Sequence, residues 1–115
     1  MSRASREKGK RGERELAAKL TEVFGVDCRR GQQFCGASGD ADVVGIGGLH
    51  AECKRTETLR LWPAIDQAVN DAAEGSVPVV FHRPSRRPWV AIVRVDDLPA
   101  LIESLAGLTH NREKS

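Results

Sequence analysis

Asp42, Glu52 and Lys54 are the residues whose types and spacing could do chemistry in this chain. The stretch Asp42-Val43-Val44-Gly45-Ile46-Gly47-Gly48-Leu49-His50-Ala51-Glu52-Cys53-Lys54 puts an acid on one apolar, strand-like run. A glycine turn follows, and the next run carries Glu-x-Lys. Two carboxylates and one ammonium at a single point are what magnesium-dependent hydrolysis of a phosphodiester requires. Side chains alternate along a strand, so Leu49, Ala51 and Cys53 are expected on the core face. His50, Glu52 and Lys54 then share the other face, turned to a cleft or to solvent. Glu-x-Lys alone is an ordinary ion-pair pattern, and Asp42 is what changes its meaning. Opposed residues of a hairpin point to the same face. A turn centred on Gly47, with residues 46–48 as its loop, opposes Asp42 to Glu52. A tight Gly47-Gly48 turn opposes it to Cys53 instead and sends it to the core. The chemistry therefore requires an odd-length or bulged turn, or a strand that bends at Asp42, and Gly45, Gly47 and Gly48 make this easy.

A third acid comes from helix periodicity. At about 100° per residue, Glu13 falls within about 20° of Leu20, on the apolar stripe of Leu16, Ala17, Leu20, Val23 and Phe24, whereas Glu15 lies about 140° away. A carboxylate on a buried face is costly unless paired or bound to a metal. Near a helix start it is also favoured by the dipole alone. Three convergent carboxylates repel one another, and a divalent cation resolves the conflict. Oxygen-only donors suit Mg²⁺ or Mn²⁺ and not zinc. Lys54 would orient the attacking water or offset charge in the transition state.

The formal net charge is only +2, but the basic residues are clustered. Arg3, Arg6, Lys8, Lys10, Arg11 and Arg14 crowd the start, Arg29 and Arg30 follow, and Arg83, Arg86 and Arg87 form a later group. Basic clusters alternating with a carboxylate site point to a phosphate backbone as partner, with Arg11, Arg14, Arg29 and Arg30 on the phosphates. The later group either grips phosphate or keeps its loop soluble.

The elements that must position these residues can be read from patterning. Residues 7–24 read as a helix ended by Gly25, and residues 26–34 as a short strand. Residues 36–39 form a glycine-rich loop. Residues 41–46 and 49–56 read as strands joined by Gly47-Gly48. Trp62-Pro63 opens a second helix with Ile65, Ala68, Val69 and Ala72 as its buried stripe and Gly75 as its stop. Residues 77–82 and 89–95 are further strands, and Asp96 or Asp97 caps a last helix running to Gly107. The order predicts one α/β domain over 1–115, a mixed central sheet of about five strands flanked by helices, with 1–6 and 109–115 as flexible tails. At 115 residues the chain suits one core and not two. No apolar run approaches the roughly 20 residues that span a bilayer, and no signal-peptide pattern follows the basic start. Cys28, Cys35 and Cys53, an odd number without a CxxC pair, read as reduced thiols in a cytoplasmic protein.

Lys10-Arg11-Gly12-Glu13-Arg14-Glu15-Leu16, Gly39-Asp40-Ala41-Asp42-Val43-Val44-Gly45 and Glu52-Cys53-Lys54 together resemble the PD-(D/E)xK nuclease superfamily. Within it, the archaeal-type Holliday-junction resolvases and related phage endonucleases are most similar. The resemblance runs over residues 8–95. It implies a restriction-endonuclease-like core, Mg²⁺ dependence, and a homodimer that nicks branched DNA at two symmetric positions, in the cytoplasm or in that of a host cell. The family's helix-one glutamate matches Glu13, its metal-binding aspartate Asp42, and its Glu-x-Lys pair Glu52 and Lys54. The backbone carbonyl of Cys53 is implied as a further metal ligand. The family's basic residues match Arg14 and Arg29 or Arg30, and Ser38 takes the glycine-serine loop position. The chain departs from the pattern at Ala41, where many members carry proline, and at Asp40, an additional acid.

Other readings compete. His50-Ala51-Glu52 matches half of the zinc nucleoside-deaminase signature, but no cysteine follows Cys53 to complete it. A nucleic-acid-binding module without catalysis would use the basic clusters but leaves the acids unexplained. A flap, nicking or restriction-type endonuclease is the alternative within the nuclease reading. His50 reads as an exposed histidine, with tuning of the site as its alternative role, and Gln67 as a solvated helix residue at a position where some branches of the superfamily place a functional glutamine. At 4% aromatic residues, a stacking platform for unpaired bases is not expected.

Overall fold

The computed structural model describes residues 3–31 and 41–114. Helix α1 (Arg3–Phe24) carries Leu16, Ala17 and Leu20 on one buried stripe, as the spacing requires. Gly25 ends it at φ 70°, its N–H donating to the Thr21 carbonyl at 2.9 Å. The Thr21 hydroxyl donates back to Ala17 and accepts the Cys28 N–H, each at 2.9 Å, which fixes the exit of the chain towards β1. Among the described residues five strands follow in two groups: β1 (Arg29–Arg30), β2 (Val43–Val44) and β3 (Leu49–Lys54) before helix α2 (Leu61–Asp71), then β4 (Val77–His82) and β5 (Val90–Ile92). A single 3₁₀ turn (Val95–Asp97) leads into helix α3 (Leu98–Lys114).

The sheet order is β1-β2-β3-β4-β5, with β3 and β4 parallel and every other pair antiparallel. Parallel neighbours need a crossover, and α2 supplies it by running back over one face of β3 and β4. The sheet is therefore covered on both sides. Leu16, Ala17 and Leu20 of α1 pack with Val43, Ala51, Val77, Val79 and Phe81, and Leu101, Leu105 and Leu108 of α3 join them. On the opposite face Ala64, Ile65 and Ala68 of α2 pack against Val80. Full burial of a valine such as Val79 or Val80 contributes about 1.5–3 kcal/mol. The α/β class and the mixed five-stranded sheet agree with the expectation from patterning.

Several boundaries differ. Among the described residues, β1 pairs only at Arg29–Arg30 and β5 only at Val90–Ile92. Helix α2 stops at Asp71 and not at Gly75, because Ala72 turns extended at φ −68°, ψ 133°. Helix α3 continues past Gly107 to Lys114, and α1 begins at Arg3, so helix enters both segments expected as tails. Asp97 stands just before α3, but its carboxylate accepts the Arg94 Nε at 2.8 Å. No described helix is long and apolar enough to cross a membrane.

Gly12 sets how closely α1 approaches the end of β3. It is buried, and a Cβ there would lie 2.7 Å from the Cβ of Arg55. Gly9, one turn earlier, has nothing within 4 Å. Gly9→Ala should therefore raise stability by about 0.5–1 kcal/mol through helix propensity. Gly12→Ala should lower it by about 1–2 kcal/mol, since overpacking outweighs the same gain. Urea denaturation of both variants checks this; a Gly12→Ala midpoint above wild type would show that α1 is free to shift.

Candidate active site

The pairing of β2 with β3 decides where Asp42 points. Val43 is the partner of Ala51, which puts Asp42 level with Glu52, the register of a turn centred on Gly47. The Asp42 N–H also donates to the Ala51 carbonyl at 2.9 Å. Two consecutive residues thus meet one, and the strand is bulged at Asp42. One carboxylate oxygen of Asp42, Oδ2, accepts the backbone N–H of Cys53 at 2.8 Å, where a ladder bond would otherwise continue. In a strand the N–H and C=O of one residue point the same way, so the Cys53 carbonyl is also directed to the Asp42 side.

Asp42 and Glu52 are close enough for their carboxyl groups to hydrogen-bond. Burial, and then the charge of Glu52, push the Asp42 carboxyl up to about 7. Glu52 is 2% exposed, and burial raises it as well, while its hydrogen bond to Asp42 and the charge of Lys54 oppose that shift. Glu13 arrives from α1. Burial raises its carboxyl, the Arg30 hydrogen bond opposes this, and the Asp42 charge adds to it. Its Oε1 accepts Arg30 Nε at 2.9 Å. The structure thus brings Glu13, Asp42 and Glu52 into mutual electrostatic reach.

Lys54 follows Glu52 on the same face, and its Nζ donates to Gln67 Oε1 of α2 at 2.8 Å. Gln67 is exposed, as a solvated helix residue should be, and still takes the hydrogen bond of the lysine. Arg14, Arg29 and Arg30 line one shallow depression with Ala17, Ala18 and Cys28, and Arg30 joins it to Glu13. Arg11 is exposed on α1. Ser38, Asp40 and Cys35 lie outside the described residues. The thiol of Cys53 is pushed up to about 12 by burial and by the charges of Asp42, Glu13 and Glu15, so it is inert.

The face of β3 expected towards cleft or solvent is instead covered by α2. His50 is 3% exposed, and its Nε2 lies 2.7 Å from Glu52 Oε1. The exposed-histidine expectation is thus overturned by the crossover. Asp71, at the end of α2, brings a carboxylate oxygen within 4.8 Å of the ligand atoms of His50 and Glu52. The i, i+4 spacing of Gln67 and Asp71 was the available signal. A helix antiparallel to β3 sets the earlier residue near Lys54 and the later one near His50. Arg83 is not a free phosphate grip: with Arg55 it binds Glu15, tying the later basic loop to α1.

A carboxyl raised by folding stabilises the protein while it holds its proton. For Asp42 that contribution is complete below the ordinary carboxylate range and is lost as pH rises through about 7. In EDTA, the melting temperature of wild type should fall relative to Asp42→Asn between about pH 5 and about pH 8. Paired thermal melts test this; parallel curves would show that Asp42 is not held as a proton-bound acid. Among known proteins, the chain matches no family model, no curated protein and no solved structure.

Proposed function

We propose that this protein is a divalent-metal-dependent endonuclease of the PD-(D/E)xK type, acting as a homodimer on branched DNA, with the four-way junction as its substrate. The observation that carries this reading is the contact between the Asp42 and Glu52 carboxyl groups, with Glu13 in reach. Carboxyl groups buried side by side, one of them raised to about 7 by burial first and by its neighbour's charge second, are a poor arrangement for a protein alone and a good one for a hard cation. The donors are all oxygen: Glu13, Asp42, Glu52 and the Cys53 carbonyl. That set fits Mg²⁺, with Mn²⁺ as a substitute, and not zinc. When bound there, the ion would offset phosphate charge and acidify the attacking water.

The remaining steps belong to the side chains. Lys54, held by Gln67, presents its ammonium beside Glu52, orients the water and offsets charge as the phosphorus centre becomes pentacovalent. Arg30 fixes Glu13 and, with Arg14 and Arg29, offers a basic depression for flanking phosphates. Arg11, exposed on α1, is a further phosphate contact, and Ser38 is assigned one from the family resemblance alone. A four-way junction presents two equivalent strands, and a two-fold dimer matches them.

Offered labelled four-way junction, flap, linear duplex and single strand, the purified protein should cut the junction with Mg²⁺ and not with EDTA. Asp42→Asn and Lys54→Ala should each lose on the order of 100-fold or more in rate. Cutting in EDTA, or undiminished cutting by both variants, would sink the mechanism. Equal cutting of duplex and junction would leave a flap, nicking or restriction-type nuclease. Light scattering should give a dimer at micromolar protein.

A further inference from the structure

His50 is the buried ionisable group that this chemistry leaves unused. We infer that His50 is a positioning residue for the metal-binding carboxylate of Glu52: its Nε2–H holds Oε1 and so fixes the orientation of the carboxylate beside Asp42. The inference rests on the metal reading of the site and adds to it a determinant of metal affinity.

The geometry is specific. His50 and Glu52 are two residues apart on β3 and therefore on one face. Both are essentially closed to water, at 3% and 2% exposure, and Nε2 lies 2.7 Å from Oε1. An ionised carboxylate only accepts, so with Glu52 charged the proton of this bond sits on Nε2. Glu52 has the Asp42 carboxyl, Lys54 and Asp71 around it as well. The His50 bond needs no proton on a carboxyl group and fixes the carboxylate in one orientation. On the β4 side Glu52 is paired with Val80, and on the other side the next residue, Cys53, gives its N–H to the Asp42 carboxylate. Helix α2 closes the space above, with Asp71 beside the imidazole. Outer partners of this kind orient ligands, and their loss weakens metal binding by about 10–100-fold.

The test is Mn²⁺ binding to the full chain by calorimetry, for wild type, Asp42→Asn, His50→Phe and His50→Gln. Phenylalanine keeps a ring without the donor; glutamine keeps an N–H. Asp42→Asn should abolish binding, His50→Phe should raise Kd by about 10–100-fold with stoichiometry unchanged, and His50→Gln should recover most of the loss. Melting in EDTA reports whether each variant folds. A nitrogen-15 spectrum of the wild-type imidazoles supplies a readout free of substitution: His50 should keep its Nε2–H when Mg²⁺ is added. Wild-type affinity in His50→Phe would overturn this inference and leave the metal reading standing. A fall in stoichiometry, or loss of the Nε2 proton on adding metal, would overturn it by making His50 a ligand. Absence of Mn²⁺ binding in wild type would remove the metal reading and this inference together.

Discussion

Two carboxyl groups that repel each other are held in contact where β2 meets β3, and the rest of the structure is arranged around that contact. The bulge at Asp42 is its geometric cause. A regular ladder would continue with backbone bonds, but the side chain of Asp42 takes the Cys53 N–H in their place. Its carboxylate therefore lies near the plane of the sheet, at the end of the β2 ladder, and not clearly on either face. That position lets acids from both faces approach it. Glu13 comes from α1, on the side of Ala51, and Glu52 points to the side covered by α2.

Strand β3 carries the burden of keeping the two faces distinct. Ala51 packs with α1 and the valines of β4, while His50 and Glu52 are sealed beneath α2. The parallel pairing with β4 makes this possible, since it demands a crossover and the crossover covers the polar face. At the far end of β3, Glu15 gathers Arg55 and Arg83, and Gly12 lets α1 come close enough for that contact. The same approach sets Glu13 one helical step away at the carboxylate cluster. One glycine on α1 thus serves two ion-pair arrangements, one structural and one placed for chemistry.

Much of this was legible in the residues. Period-2 alternation separates Ala51 from Glu52, and the phase of Glu13 on the stripe of Leu16 and Leu20 puts it on the buried side of α1 or at the edge of it, where the structure finds it half-buried. The parity of the Gly47 turn was readable only as a condition: Asp42 meets Glu52 in one register and Cys53 in another, and sequence patterning does not choose between them. Tertiary contact does, through Val43 opposite Ala51. His50 was misread for a related reason. Alternation says which residues share a face but not whether that face is covered, and only the path of α2 answers that. Asp71 is hidden in the same way, since a polar helix residue looks solvated until the strand beneath it is known. The 3₁₀ turn before α3 and the early end of α2 are boundary details that capping patterns locate only within a few residues.

The partners of the four central groups come from three elements, β1, β3 and α2, and this distribution explains how a repulsive cluster stays in place. Glu13 is held by Arg30 of β1, Asp42 by a backbone N–H of β3, Glu52 by His50, and Lys54 by Gln67 of α2. Exposed carboxylates under mutual repulsion would swing apart, because rotation about χ costs little and water solvates the separated charges. Here each carboxylate has lost water on one side and gained a directed donor, so moving away would break a hydrogen bond inside a region of low dielectric. The donors also differ in kind. Arg30 supplies a full charge at the rim, where solvent still screens it, whereas the buried acids receive neutral donors, the Cys53 amide and the His50 ring. Neutral donors orient a carboxylate without cancelling its charge, which leaves the negative potential of the cluster intact for whatever cation enters.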